Sequence, residues 1–208
     1  MYNVPYFKAA NHEEVLAFMK AHPFIMLCGI GEDGYPVATH IPVLIELREG
    51  QVFLLGHMMR KQQHTFCFTH NKLALAVFTG EHSYISASWY ANPNVASTWN
   101  YKAVHAKGLL RFLNEQELYN ILVKLTDHFE GSKDSPAAVA NMQEEYIANN
   151  MKAIVAFEVA VTTIDHVFKM SQNKNLTDHE NIIRHLQEGD AQQQYLATQM
   201  QQQKDQSF

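Results

Sequence analysis

Val37-Ala38-Thr39-His40-Ile41-Pro42-Val43-Leu44-Ile45-Glu46-Leu47 is the stretch on which the fold class turns. Its odd positions carry Val37, Thr39, Ile41, Val43, Ile45 and Leu47. Its even positions carry Ala38, His40, Pro42, Leu44 and Glu46. A β-branched face repeating every second residue is a strand with one side buried. Pro42 has no N–H to give to a ladder, so a bulge or bend is expected there. On the N-terminal side lies the turn Gly31-Glu32-Asp33-Gly34, and before it Phe24–Ile30 reads as a strand. On the C-terminal side Arg48-Glu49-Gly50 turns the chain into a strand over Gln51–Gly56. Leu73–Thr79, Tyr101–Phe112 and Ile154–Val161 complete a set of six expected strands.

Helices are expected between and after these strands. Asn11 with Glu14 suits a helix start, and Pro23 ends that helix. Arg60–His70 is helix-compatible. Asn114 with Glu117 repeats the capping pattern and opens a helix to about Phe129. Another helix is expected over Pro136–Asn150. Thr177-Asp178-His179-Glu180 reads as a capping box that opens a C-terminal helix, and a second helix follows Gly189-Asp190. The glutamine-rich end is polar enough to fray. Strands first, with helices inserted and then appended, predict a mainly β antiparallel barrel with helices rather than a βαβ sandwich. Residues 1–165 form the barrel domain in this reading, and 166–208 a helical extension packed on it or on a partner subunit.

The 208 residues carry 16 Lys+Arg against 21 Asp+Glu, a net charge of −5, which argues against a surface built to hold a phosphate backbone everywhere. Cys28 and Cys67 cannot make a disulfide framework, and they read as reduced thiols of a cytoplasmic protein. No basic segment leads into an apolar run at the N-terminus, and no apolar run approaches the length of a membrane span. The 12 histidines show no H-x-x-x-H or H-E-x-x-H spacing, and no C-x-x-C occurs, so no metal site is expected. Neither a nucleophile elbow nor a P-loop is present.

Three segments could carry chemistry. Gly56-His57-Met58-Met59-Arg60-Lys61 lies at a strand-to-helix junction. Glycine lets a ligand approach the backbone. Arg60 and Lys61 in the first turn of a helix are disfavoured by its dipole unless an anion offsets them, and a phosphate ester would do so. The same pair also reads as a solvated helix start. Thr39-His40-Ile41-Pro42 sets a hydroxyl on an apolar strand face, where a lone Thr is usually core, and a histidine on the other face. Residues 82–101, with Ser86, Ser88, Trp89, Trp99 and Asn100, are dense in aromatic rings and small polar groups. Such a loop suits a planar heterocycle. It equally suits a barrel end covered by its own aromatics.

Together these segments resemble one family, the PaiB-type FMN-binding negative transcriptional regulators of the FMN-binding split-barrel superfamily. The resemblance rests on Ala38-Thr39-His40-Ile41-Pro42, Leu55-Gly56-His57 with Arg60, His82-Ser83-Tyr84-Ile85-Ser86, Ser88-Trp89-Tyr90, Thr98-Trp99-Asn100-Tyr101 with Ala103-Val104-His105, and Lys169-Met170-Ser171-Gln172-Asn173. It departs from the family's pattern at Gln62-Gln63, Ala87 and Ala96-Ser97. The resemblance implies a six-stranded antiparallel split barrel of Greek-key type with C-terminal helices, a homodimer, and FMN at the subunit interface. Arg60 and Lys61 would hold the flavin phosphate, Thr39, His40, Ile41 and Pro42 would lie along the isoalloxazine, and Gly56, His57, Ser86, Ser88, Trp89, Trp99 and Asn100 would complete the site. A flavin-dependent oxidoreductase and a haem-binding split barrel are the alternative functions. DNA enters as a partner through the resemblance alone, because 177–208 holds only Arg184 and Lys204 as permanent cations and no helix-turn-helix pattern occurs.

Overall fold

In a computed structural model, which describes residues 1–92 and 94–207, the chain divides into two compact units. One comprises Met1–Phe18, Thr79–Val104 and the chain from Asp165 onward, and the other Met19–Phe78 and His105–Ile164. The strands are β1 (Phe24–Ile30), β2 (Pro36–Pro42), β3 (Leu44–Arg48), β4 (Gln51–Met59), β5 (Leu73–Ile85), β6 (Thr98–Phe112) and β7 (Ile154–Lys169). They form one seven-stranded sheet in the order β2-β1-β5-β6-β7-β4-β3. The helices are α1 (His12–Ala21), α2 (Gln63–His70), α3 (Glu115–Glu130), α4 (Glu144–Met151), α5 (Leu176–Gln187) and α6 (Ala191–Ser207). The protein is mainly β with helices, as expected, but with seven strands where six were expected.

The seventh strand arises at Pro42. β2 pairs with β1, whereas β3 pairs with β4, so the chain changes partner between Pro42 and Val43. The Val43 N–H goes to Pro23 O at 2.9 Å, closing the first ladder, and Leu44 opens the second opposite Leu55. The buried odd face persists through Val37, Ile41 and Val43 and lapses at Leu47, which is exposed.

In the unit built on β1 and β4, one face of β4 and β7 is an apolar core. Leu54, Phe157 and Val159 are fully buried there. The other face is covered by α3 and α4, with Leu55 and Ala156 meeting Leu118, Ile121, Leu125 and Met151. The same face carries Glu158, only 4% exposed. Its carboxylate accepts from Arg48 at 2.5 Å and from Arg111 at 2.9 Å. A buried carboxylate is tolerable when paired and hydrogen-bonded in this way. Asn114 and Glu117 make the expected reciprocal cap of α3, and Gly131, at φ +69°, ends it in the left-handed conformation.

In the other unit, α5 and α6 bury Ile182, Ile183, Leu186, Leu196, Ala197 and Met200 against Ile85, Tyr90 and Met170. The cap of α5 is Asn175, which accepts from the Asp178 N–H, and not the Thr177 box. An Asx residue two positions upstream, with the Asp178 amide in reach, takes the role. The helix expected over Pro136–Asn150 is only α4. Ahead of it, Ser135 Oγ accepts from the Ala137 N–H and Asn141 donates to Ser135 O, local bonds that compete with a helical ladder. β5 runs to Ile85 and β6 starts at Thr98, so the aromatic loop is confined to the residues between them, of which Pro93 lies outside the described residues. β7 runs eight residues past Val161 to Lys169. The polar end is helical to Ser207.

The N-terminal segment is tied down by His166. Its Nε2 accepts the Ala9 N–H at 2.9 Å, and its carbonyl accepts from Lys8 Nζ at 2.9 Å. Burial pushes the imidazole below its ordinary value of 6.5, with Lys8 and His12 adding to this and Glu14 and Asp165 opposing it. The native ring stays neutral where the unfolded chain takes up a proton. The unfolded state therefore binds more protons just below pH 6.5, and the stabilisation, present in full above that pH, is lost as pH falls. His166→Gln should flatten the fall of Tm between about pH 7 and about pH 5, the range of histidine titration. A residual slope should persist, because burial also lowers His57 and His64. An unchanged slope in calorimetry would remove His166 from the titration.

Candidate functional site

The register of β4 on β7 positions the first group of expected residues. Gly56 lies opposite Phe157, His57 opposite Ala156, and Met59 opposite Ile154. A Cβ on Gly56 would come within 2.8 Å of the Phe157 ring and 3.1 Å of Pro42 O. The missing side chain is therefore what lets the end of β2 lie against β4, and it brings Pro42 to Gly56. Along β2, Ile41 is buried, Thr39 is half-buried and His40 is exposed. The His40 ring stacks beside Phe24 at 6.1 Å and 26°.

His57 Nδ1 is buried and has no hydrogen-bond partner among the described residues. Desolvation pushes its imidazole down, so the ring is neutral. A buried polar atom without a partner is uncommon and calls for one.

Arg60 and Lys61 do not lie in the first turn of a helix. The ladder to β7 continues past Met59: the Arg60 N–H donates to Ala153 O at 2.8 Å, and Nη2 of its guanidinium donates to Ile154 O at 2.7 Å. α2 consequently begins only at Gln63, behind Gln62 in extended conformation with no side-chain cap. Both cations occupy the turn ahead of that start and are exposed. Arg60 also lines a cavity of about 430 Å³ with Asn114, Glu115, Lys152 and the apolar side chains Leu118 and Met151. Lys152 was not singled out in the sequence, since a lone lysine at a helix end forms no pattern. A second cavity, of about 540 Å³, lies between the β1–β2 turn and α2, where His70 Nε2 meets Glu32 Oε1 at 2.8 Å. Among the described residues no group of three or more His, Cys, Asp or Glu is arranged to hold a metal.

The remaining expected residues belong to the other compact unit. Ser86 caps a short 3₁₀ turn, accepting from the Ser88 N–H at 3.2 Å, and its hydroxyl lies 2.8 Å from that of Ser88. The turn is anchored by the Ala87 N–H on Ser97 Oγ. Trp89 stacks on His185 of α5 at 5.0 Å and 15°. Trp99 is 52% exposed, with Tyr84 edge-on at 5.8 Å and His82 at 6.0 Å, so it does not plug a barrel end. Asn100 is fully buried, accepting from the Ser171 hydroxyl at 3.0 Å and donating to Met200 Sδ at 3.5 Å. Ser171 holds this bond from a left-handed conformation, φ +61°. Such a non-glycine position persists only where its surroundings over-determine it. Its signal in the sequence was the segment Lys169–Asn173. Ser86, Ser88 and Trp89 thus share one loop, while Asn100 is turned to the C-terminal helices and Trp99 to solvent.

With this geometry the known proteins can be compared. Residues 1–163 match the family model described as "Putative FMN-binding domain". Over 187 residues, 90% of this chain and 89% of the relative, the chain is 34% identical to the protease synthase and sporulation protein PAI 2 of Bacillus subtilis. The fold is similar to that of the flavocytochrome Anf3 from Azotobacter vinelandii, with a TM-score of 0.64 at 14% identity over 86% of this chain and 78% of that one. It is also similar to an FAD and heme binding protein from Mycobacterium smegmatis, with a TM-score of 0.61 at 15% identity over 83% and 78%. At such identities the likeness is one of fold.

The Gly56 contact is directly testable. Gly56→Ala should destabilise the protein by roughly 1–3 kcal/mol, the usual cost of overpacking, and shift the urea midpoint accordingly. A neutral substitution would mean that Pro42 and Phe157 yield freely and that the glycine is not what seats β2.

Proposed function

Because the chain belongs to the FMN-binding domain family whose model it matches, we propose that it is a PaiB-type regulator that holds FMN by its phosphate at Arg60 and Lys61. The observation that carries the reading is the turn itself. Two cations stand side by side ahead of a helix start that no side chain caps, and the backbone and guanidinium of Arg60 are both fastened to β7. A fixed guanidinium loses little entropy when it meets a phosphate, and it keeps donors on Nε and Nη1.

The residues fit the rest of the cofactor. His57 Nδ1 is a buried polar atom in want of a partner. Thr39 and Pro42 on β2 supply a hydroxyl and an apolar ring surface that suit an isoalloxazine. The flavin, when bound, supplies the redox chemistry, and the protein supplies position and electrostatics.

A homodimer belongs to the same reading. Tyr84 and Trp99, 48% and 52% exposed on neighbouring strands, form an aromatic face that a second copy would cover. The cytoplasm suits a chain with both cysteines free. Among the described residues no helix is long and apolar enough to cross a membrane. DNA is part of the reading through the regulator class.

Arg60→Ala should weaken FMN by roughly 10- to 100-fold, the scale of one or two charge-assisted hydrogen bonds, and riboflavin far less. Fluorescence titration with both ligands reads this, and equal losses would separate Arg60 from the phosphate. Light scattering behind size exclusion should give about twice 23.8 kDa. A monomer that still binds FMN would overturn the dimer.

A further inference from the structure

We propose that Lys152 is a third cation of the phosphate site and adds to its preference for phosphorylated over unphosphorylated flavin. The inference rests on the FMN reading of Arg60 and extends it to a residue that no motif marks.

The residues concerned lie at the end of the β4–β7 ladder. Met59 pairs with Ile154, the Arg60 N–H donates to Ala153 O, and the Arg60 guanidinium donates to Ile154 O. These three contacts bring Arg60 to the first residues of β7. Lys152 stands immediately before them as the C-terminal cap of α4, in helical conformation, with its own N–H on Asn150 O. Its ammonium donates to Asn149 Oδ1 at 3.0 Å, which orients it and leaves two donors. Lys152 and Arg60 line one cavity of about 430 Å³, floored by Leu118, Met151 and Val155.

Two cations on one cavity wall repel each other, and an anion between them relieves that repulsion. Glu115 is the single acid of this lining, and among the described residues it pairs with neither cation. A phosphate monoester offers three terminal oxygens that can accept from two separate donor groups, where a carboxylate offers two. The structural alternative is that Lys152 merely complements the C-terminal end of the α4 dipole. That role contributes to stability and is blind to which flavin is bound.

The test is calorimetric titration of FMN and riboflavin into the wild-type protein, Lys152→Gln, Lys152→Arg and Arg60→Ala, with inorganic phosphate as competitor. Lys152→Gln should weaken FMN by roughly 5- to 20-fold, one charge-assisted bond, while riboflavin changes less than about twofold. Lys152→Arg should restore most of the FMN affinity, and inorganic phosphate should compete less well against the Gln variant. If Arg60→Ala loses FMN selectively but Lys152→Gln binds it as the wild type does, the inference fails and the Arg60 reading stands. If Lys152→Gln loses both flavins equally, the lysine is structural and the inference fails. If the wild-type protein binds FMN no more tightly than riboflavin, both fall together.

Discussion

Seven consecutive pairs, from Phe53 opposite Ala160 to Met59 opposite Ile154, lock β4 to β7 in one register. A slip of one residue would turn every side chain of β4 to the opposite face. In the observed register Leu54 and Gly56 face the apolar core with Phe157 and Val159, while Leu55 and His57 face the layer of α3 and α4. The placement of Gly56 against Pro42, the unpartnered Nδ1 of His57 and the fastening of Arg60 all follow from that single pairing. The positions of these residues are therefore a by-product of strand register, held largely by main-chain bonds.

Glu158 works on the same ladder from the other side. Its carboxylate, shared by Arg48 of β3 and Arg111 of β6, joins three strands through one buried group. Lys124 of α3 and Arg48 both reach Glu46, so the ion network extends from the sheet to the helix that covers it. Buried pairs of this kind add less to net stability than to specificity, since a misplaced strand would leave a charge buried alone. Apolar contacts make α3 stay, and the charges say where.

Much of this was legible in the sequence wherever periodicity or a cap was local. The alternation of Val37 to Val43, the Asn114–Glu117 box and the helix between Asn11 and Pro23 each need only neighbouring residues, and each appears as read. What escaped depended on distant partners. Pro42 was legible as a bend, but not as the point where the chain exchanges β1 for β4. Arg60 and Lys61 read as helical because nothing local reveals that Ala153 O and Ile154 O would claim Arg60 first. Lys152 carried no signal at all, since its relation to Arg60 exists only once β7 is in place. Asn100 was legible as a motif residue, yet its partners Ser171 and Met200 come from the far end of the chain.

The β4–β7 ladder also has a history, because it joins positions about a hundred residues apart. On the ribosome β4 emerges long before the strand that fixes its register exists. Until Ile154–Ala160 has been made, one edge of β4 is open and the apolar face around Leu54 lacks Phe157 and Val159 to cover it. The chain thus spends much of its synthesis as a partial sheet exposed to chaperones and to pairing with other nascent copies. Residues 53–59 acquire their fixed register late, when the carboxyl-terminal third of the molecule arrives.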